Sequence, residues 1–173
     1  MNIIQTIDIF GNPNPSIFIE NEEFRPVRKF GIIIPGYYIS IDARVWSTKS
    51  HKFLTPWIGK EDSDCGTRME ITFQCPANLF PDYLYTKRHD CSSVKVPMTL
   101  HRAVAEAWKP IDENPPETLK STWNEVPEEW RQWVRDTNII DHRDDDPFNN
   151  HVSNLNYVTP KENAFFRKKR SKK

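Results

Sequence analysis

The chain has 173 residues, with 24 Lys and Arg balanced by 24 Asp and Glu, so its formal net charge is zero. Its mean hydropathy of -0.71 is polar for a folded protein, yet 12% of the residues are aromatic, a load that disordered and fibrous chains rarely carry. No stretch reaches the roughly 18 apolar residues of a membrane span, and the N-terminus lacks the basic start of a secretion signal, so a cytoplasmic protein with no membrane partner is expected.

With 14 Pro against 5 Gly, stiff irregular connections and few long helices are expected. Residues 1–26 mix short apolar runs, Ile3-Ile4 and Ile17-Phe18-Ile19, with turn chemistry at Gly11 to Pro15, and predict turns and short strands. From Phe30 onward the pattern is β-like. Tyr37, Ile39 and Ile41 alternate with Tyr38, Ser40 and Asp42, a turn follows at Asp42 to Arg44, Val45-Trp46 resumes the strand, and Phe53-Leu54 closes a small antiparallel unit. Met69 to Phe73 and Tyr83 to Tyr85 predict strands around loops that hold the cysteines. Cys65, Cys75 and Cys91 are odd in number and form no Cys-x-x-Cys pair, which points to reduced thiols; the sharper alternative is a structural Zn²⁺ site from Cys65, Cys75, His89 and Cys91.

Thr99 is a candidate cap for a helix from Leu100 to Lys109, stopped by Pro110, with Leu100, Ala103, Val104, Ala107 and Trp108 on one face. His101 lies beside that face and reads as a packed, hydrogen-bonded histidine. Pro127 opens a second short helix whose buried face is expected to carry Trp130, Trp133 and Val134; Trp57 and Trp123 are likewise expected to pack inside. Asn138 to His142 predicts a short buried strand, Arg143 to Ser153 a polar loop, and Asn154 to Val158 a second strand. Thr159-Pro160-Lys161-Glu162 then forms a capping box that opens a helix carrying Asn163. Strand, loop, strand and helix make a ββα unit.

Charge is unevenly distributed along the chain. Residues 112–146 hold eleven acids and four bases, whereas residues 161–173 hold seven bases and one acid. The basic tail with Arg167, Lys168, Lys169 and Arg170 follows the last helix directly and is suited to backbone phosphates. Asp141 and His142 are adjacent on an extended chain, so a twist where the strand ends lets the carboxylate serve a metal and the imidazole a neighbouring water. Asn163 can bring an amide oxygen to the same ion. One carboxylate and one amide suit a hard, partly hydrated cation such as Mg²⁺ (or Mn²⁺). Histidine, which ordinarily titrates near neutrality, is a natural general base for a water attacking a phosphate. His151 reads as a loop or phosphate contact, and Asp144 to Asp146 as a solvated acidic loop, since the glutamate of a calcium loop is missing.

The run Asp141-His142, Asn154-Leu155, Tyr157-Val158-Thr159 and Asn163 resembles the HNH nucleases, in the variant whose last His is replaced by Asn, and is similar to phage homing endonucleases. Upstream, His101-Arg102-Ala103-Val104-Ala105 is similar to the helix that precedes the motif in that group, and Tyr38 to Ser47 to a small DNA-associated module. The resemblance implies an α+β protein: a β-rich N-terminal region, residues 1–98, with the DNA-associated module near residues 30–58, and a ββα-metal nuclease domain, residues 99–173. It further implies metal-dependent cleavage of double-stranded DNA to 5′-phosphate and 3′-hydroxyl ends. In that scheme His142 is the base, Asp141 and Asn163 are metal ligands, and Asn154 pins the loop that orients the base. The sequence departs from the group in two places. The usual loop glycine after Asp-His is replaced within Arg143-Asp144-Asp145-Asp146, and an acidic, Trp-rich connection of about 30 residues, long for the group, precedes Asp141. The alternative function is a nucleic-acid-binding protein on the same fold with catalysis lost; the sequence sets no oligomeric state beyond a default monomer.

Overall fold

Alternating runs joined by tight turns build the N-terminal half. The structure, a computed structural model, describes residues 2–7, 13–59, 67–80 and 92–170. Six strands, β1 (Asn2–Ile7), β2 (Pro13–Ile19), β3 (Glu22–Lys29), β4 (Ile32–Ser40), β5 (Val45–Ser47) and β6 (Lys52–Leu54), pair antiparallel in chain order. The β2–β3 and β3–β4 connections each place two residues at positive φ, Glu20-Asn21 at 52° and 65° and Phe30-Gly31 at 53° and 77°. That is the mirror-image two-residue turn whose twist suits a hairpin.

Of the turn expected at Gly11 to Pro15, Gly11 and Asn12 lie outside the described residues, while the part from Pro13 to Pro15 is corrected here: Pro13 and Pro15 lie within β2, opposite Ile7 and Gln5 of β1. β3 pairs with β2 only from Ile17 onward, so the prolines occupy a stretch with one partner strand, where a missing N–H is tolerated.

A second antiparallel sheet contains β7 (Trp57–Ile58), β8 (Met69–Pro76) and β9 (Ser93–Thr99). It leads directly into α1 (Leu100–Trp108), which packs against β3, β4, β8 and β9 on one side. On the other it meets β10 (Ile139–His142) and β11 (Leu155–Val158), a separate antiparallel ribbon followed by α3 (Pro160–Arg170). One core therefore runs through α1, from Val27, Ile39, Phe73 and Val96 to Val104, Ile140, Leu155 and Tyr157. Trp108 secures the layer by donating its indole N–H to the Ile39 carbonyl at 2.9 Å, and the Arg25 guanidinium lies 4.2 Å over its ring.

Thr99 precedes α1 but makes no side-chain cap; its hydroxyl instead meets His101 Nε2 at 3.2 Å. Cys75 is buried in β8, and burial pushes its thiol pKa up. Cys65, His89 and Cys91 of the zinc alternative, like Tyr83 to Tyr85, lie outside the described residues. Among the described residues no helix is long and apolar enough to cross a membrane.

The expected inward face of α2 (Glu128–Thr137) is also overturned. Trp130 is 63% exposed and Trp133 57%, and Trp57 too is exposed, while Trp123 is buried. α2 turns its ion-pairing side inward: Arg135 grips Asp112 at 2.7 Å and Glu128 at 2.6 Å, Arg131 pairs with Glu128, and Val134 reaches the core edge. Trp130→Ala and Trp133→Ala should each cost less than about 1 kcal/mol in urea denaturation, against the roughly 3 to 5 kcal/mol of a buried tryptophan. A cost in the higher range for either would show that its ring packs inward.

Candidate active site

The candidate site is assembled on the β10–β11 ribbon. Asp141 pairs with Asn156 and His142 with Leu155, and the apolar Ile140, Leu155, Tyr157 and Val158 bury the ribbon against the core. The two polar residues that end β10 are both half-buried. α3 follows β11 after one residue and packs on both strands.

Its start is a closed capping box. Thr159 Oγ1 accepts from the Glu162 N–H at 3.2 Å, and the Glu162 carboxylate accepts from the Thr159 N–H at 2.6 Å. A further bond from the Thr118 N–H to Glu162, 3.1 Å, ties α3 to the acidic connection. Burial would raise the Glu162 pKa, but these hydrogen bonds prevail and hold it low. Asn163 sits one turn into α3 and is half-buried.

Between the strands, the loop from Arg143 to His151 is laced from inside. Asn154, buried at the end of a short 3₁₀ turn (Val152–Asn154), accepts the Asp144 N–H through Oδ1 at 3.2 Å. Through Nδ2 it donates to Asp144 Oδ1 and to the Asn149 carbonyl, both at 2.8 Å. Asp144 also accepts the Asp146 N–H at 2.9 Å and the Asn149 amide at 2.6 Å. The bond from the Asp146 N–H, then those from Asn154 and Asn149, hold the Asp144 carboxyl below its ordinary pKa. The acidic loop is therefore more than solvated charge, because two of its acids accept the loop's own N–H groups; Asp146 receives that of Phe148 at 2.9 Å. Asp145 takes φ 66°, the left-handed backbone that a loop glycine would supply and that a short polar residue tolerates.

His142 is held by a residue that sequence reasoning missed. Asn150, 4% exposed, faces His142 Nε2 with its Oδ1 at 3.1 Å, while its Nδ2 donates to the carbonyls of Phe148 at 3.2 Å and Pro147 at 3.4 Å. With both carbonyls claiming the amide N–H groups, Oδ1 is the acceptor and Nε2–H the donor. The basic lone pair of His142 is then on Nδ1. The only sequence signal for Asn150 was its place in an Asn-rich loop.

His101 packs edge-to-face on the His142 ring, with centroids 5.1 Å apart and planes at 80°. Burial, reinforced by His142 and Arg102, lowers its pKa to about 3, which keeps it neutral and away from proton transfer at ordinary pH. His151 is a loop contact: Nδ1 accepts the Ser153 N–H at 3.2 Å, and Nε2 lies 3.6 Å from Asp42. The neighbouring Val152 N–H donates to the Ile41 carbonyl at 3.0 Å, so the loop is moored to the N-terminal sheet.

The structure thus brings Asp141, His142 and Asn154 into one ribbon and loop, and sets the helix bearing Asn163 against the same strands. Among the described residues no three His, Cys, Asp or Glu side chains converge as a metal cluster. The backbone of α3 carries the basic run through Arg170; of its side chains that of Lys168 is described, and it is exposed.

Neither the comparison with family models nor that with curated protein sequences finds a match. Among solved structures the chain is similar to the HNH homing endonuclease I-HmuI, a protein that binds and cleaves DNA, with 22% identity and a TM-score of 0.50. The similarity covers 86% of this chain and 59% of that one, so the chain spans about three-fifths of its neighbour's length. At this identity the likeness is one of fold alone, a fold that among the described residues consists of antiparallel sheets and three α-helices.

Proposed function

We propose that the chain is a metal-dependent endonuclease that hydrolyses phosphodiester bonds of double-stranded DNA on an HNH-type ββα core, with the N-terminal region, residues 1–98, adding DNA contacts. The observation that carries this reading is His142: a half-buried imidazole at a strand end, locked through Nε2 by Asn150, with its basic nitrogen on Nδ1 and a carboxylate next to it in sequence. The likeness to an HNH homing endonuclease agrees with it at the level of fold.

Asp141 and Asn163 offer hard oxygen donors, the set that Mg²⁺ or Mn²⁺ accepts while keeping waters, so the residues fit such an ion. When bound there, the ion supplies Lewis-acid stabilisation of charge developing on the phosphate and on the leaving oxygen. The chain's own residues do the rest. His142 Nδ1 takes the proton of the attacking water as its oxygen bonds to phosphorus and the bond to the 3′ oxygen breaks. Asn150 keeps the imidazole in the required tautomer, and Asn154 keeps the loop from opening. Arg167, Lys168, Lys169 and Arg170 hold flanking phosphates.

Incubation of purified protein with supercoiled plasmid in Mg²⁺ or Mn²⁺ should give nicked or linear DNA with 5′-phosphate ends, and chelation should stop it. Binding without cutting under every metal tested would favour the binding-only alternative. Removing residues 167–173 should weaken binding alike on all sequences. Loss of four phosphate contacts should also flatten the log–log salt dependence by about 3 to 4, at roughly 0.9 per contact. An unchanged slope would take the tail out of the interface.

A further inference from the structure

Beside the His142 loop lies an open groove of about 530 Å³, formed where that loop meets the N-terminal sheet. Phe148, 48% exposed, lines it from the loop, and Phe53 and Leu54 line it from the N-terminal sheet, with Leu100 and Val45 contributing apolar surface. Asn150 lines the groove and also holds His142 Nε2, so one side chain touches both.

The charged groups at the groove are already engaged. Arg44 is paired with Glu20 at 2.6 Å and Glu22 at 2.7 Å while its guanidinium lies 4.2 Å over the Phe53 ring. Asp42 lies 3.6 Å from His151. A phosphate entering here would meet a cation already neutralised by two carboxylates, and the Asp42 carboxylate besides. A flat, uncharged aromatic group would meet two phenyl rings, a stacked guanidinium and an amide. Phe148 itself is a large apolar side chain left in solvent on a loop whose polar neighbours are tied down, which is how a stacking or wedge residue stands before its partner arrives.

We propose that this groove receives a nucleobase, unstacked from the nucleotide that adjoins the cleaved phosphate, with Phe148 as its stacking surface. The proposal rests on the endonuclease reading and assigns that site a further part of its substrate. Asn150 both lines the groove and meets His142 Nε2, so a base held in the groove would help to position the phosphate at His142.

Unstacking a paired base costs free energy that a mismatch has already spent. Duplexes carrying a mapped cut, with single mismatches scanned through the two positions on either side, test this on the full chain. One position should raise kcat/KM about 10-fold and tighten binding in chelator to a similar degree. Phe148→Ala should lower kcat/KM on fully paired DNA by about 10- to 100-fold, the range that loss of one base–aromatic stack gives, and should erase the mismatch advantage. Phe148→Trp should restore both. If wild-type protein cuts DNA but no position shows the advantage, or if Phe148→Ala keeps it, the groove takes no base and the endonuclease reading stands. If no DNA is cut with any metal, both fall.

Discussion

Replacing His142 with alanine should lower the single-turnover cleavage rate by about 10²- to 10⁴-fold, the usual worth of a positioned general base, while DNA affinity stays within a few-fold. The separation is expected because His142 is only one half-buried group at the end of β10, whereas the proposed function spreads affinity over phosphate contacts elsewhere. Its fold should survive, since Ile140 and the β11 residues Leu155, Tyr157 and Val158 bury the ribbon without it. Asn150→Ala provides the graded counterpart. It leaves the imidazole in place but removes the acceptor that fixes Nε2–H, so the rate should fall by less than in His142→Ala. The order of the two effects is informative. Equal losses would mean that Asn150 holds the loop as a whole, and unchanged turnover in His142→Ala would remove it as the base.

How much of this was visible in the sequence depended on the range of the interaction. The Thr159–Glu162 capping box is local and forms as its spacing predicts. Alternation over Tyr37 to Ile41 marked β4, and the apolar spacing from Leu100 to Trp108 marked α1, because one buried face dictates each pattern. Other features required three-dimensional neighbours. Asn150 meets His142 across eight residues of irregular loop, for which no periodicity exists. On α2 two opposite faces were plausible, one with tryptophans and one with arginines; Asp112, distant in sequence, decided for the arginines. Pro13 and Pro15 read as turn residues because nothing local shows that β3 begins to pair only beyond them. Asp145 took a backbone position for which glycine was the only local signal. Asp141 and Asn163 were singled out by resemblance, and their joint hold on a metal stays with the proposed function.

The stability of the wild-type protein should be nearly flat between pH 4.5 and 6.5, a plateau made by two opposed slopes from the same helix. Burial pushes Glu106 on α1 up from 4.5 to about 7, against the pull of Arg102. Its side chain is 11% exposed, and Oε2 has no hydrogen-bond partner. Between those pH values the folded chain keeps a proton that the unfolded chain has lost, so stability falls as pH rises. His101, lowered from 6.5 to about 3, does the opposite. There the unfolded chain binds a proton that the folded one refuses, and stability rises with pH until 6.5. Each single-proton slope is about 1.4 kcal/mol per pH unit, so across the shared window each contributes roughly 2 to 3 kcal/mol and they cancel. Substitution should unmask them. Glu106→Gln should make urea-denaturation stability rise across the window, and His101→Phe should make it fall. Arg102 is not left unpaired in the first variant, since it also donates to the Asn138 carbonyl at 2.9 Å. Below pH 4.5 the carboxyls that accept cap and loop hydrogen bonds begin to protonate and add losses of their own, so the comparison belongs above it. A plateau that survives either substitution would mean that the replaced residue does not titrate as its burial requires.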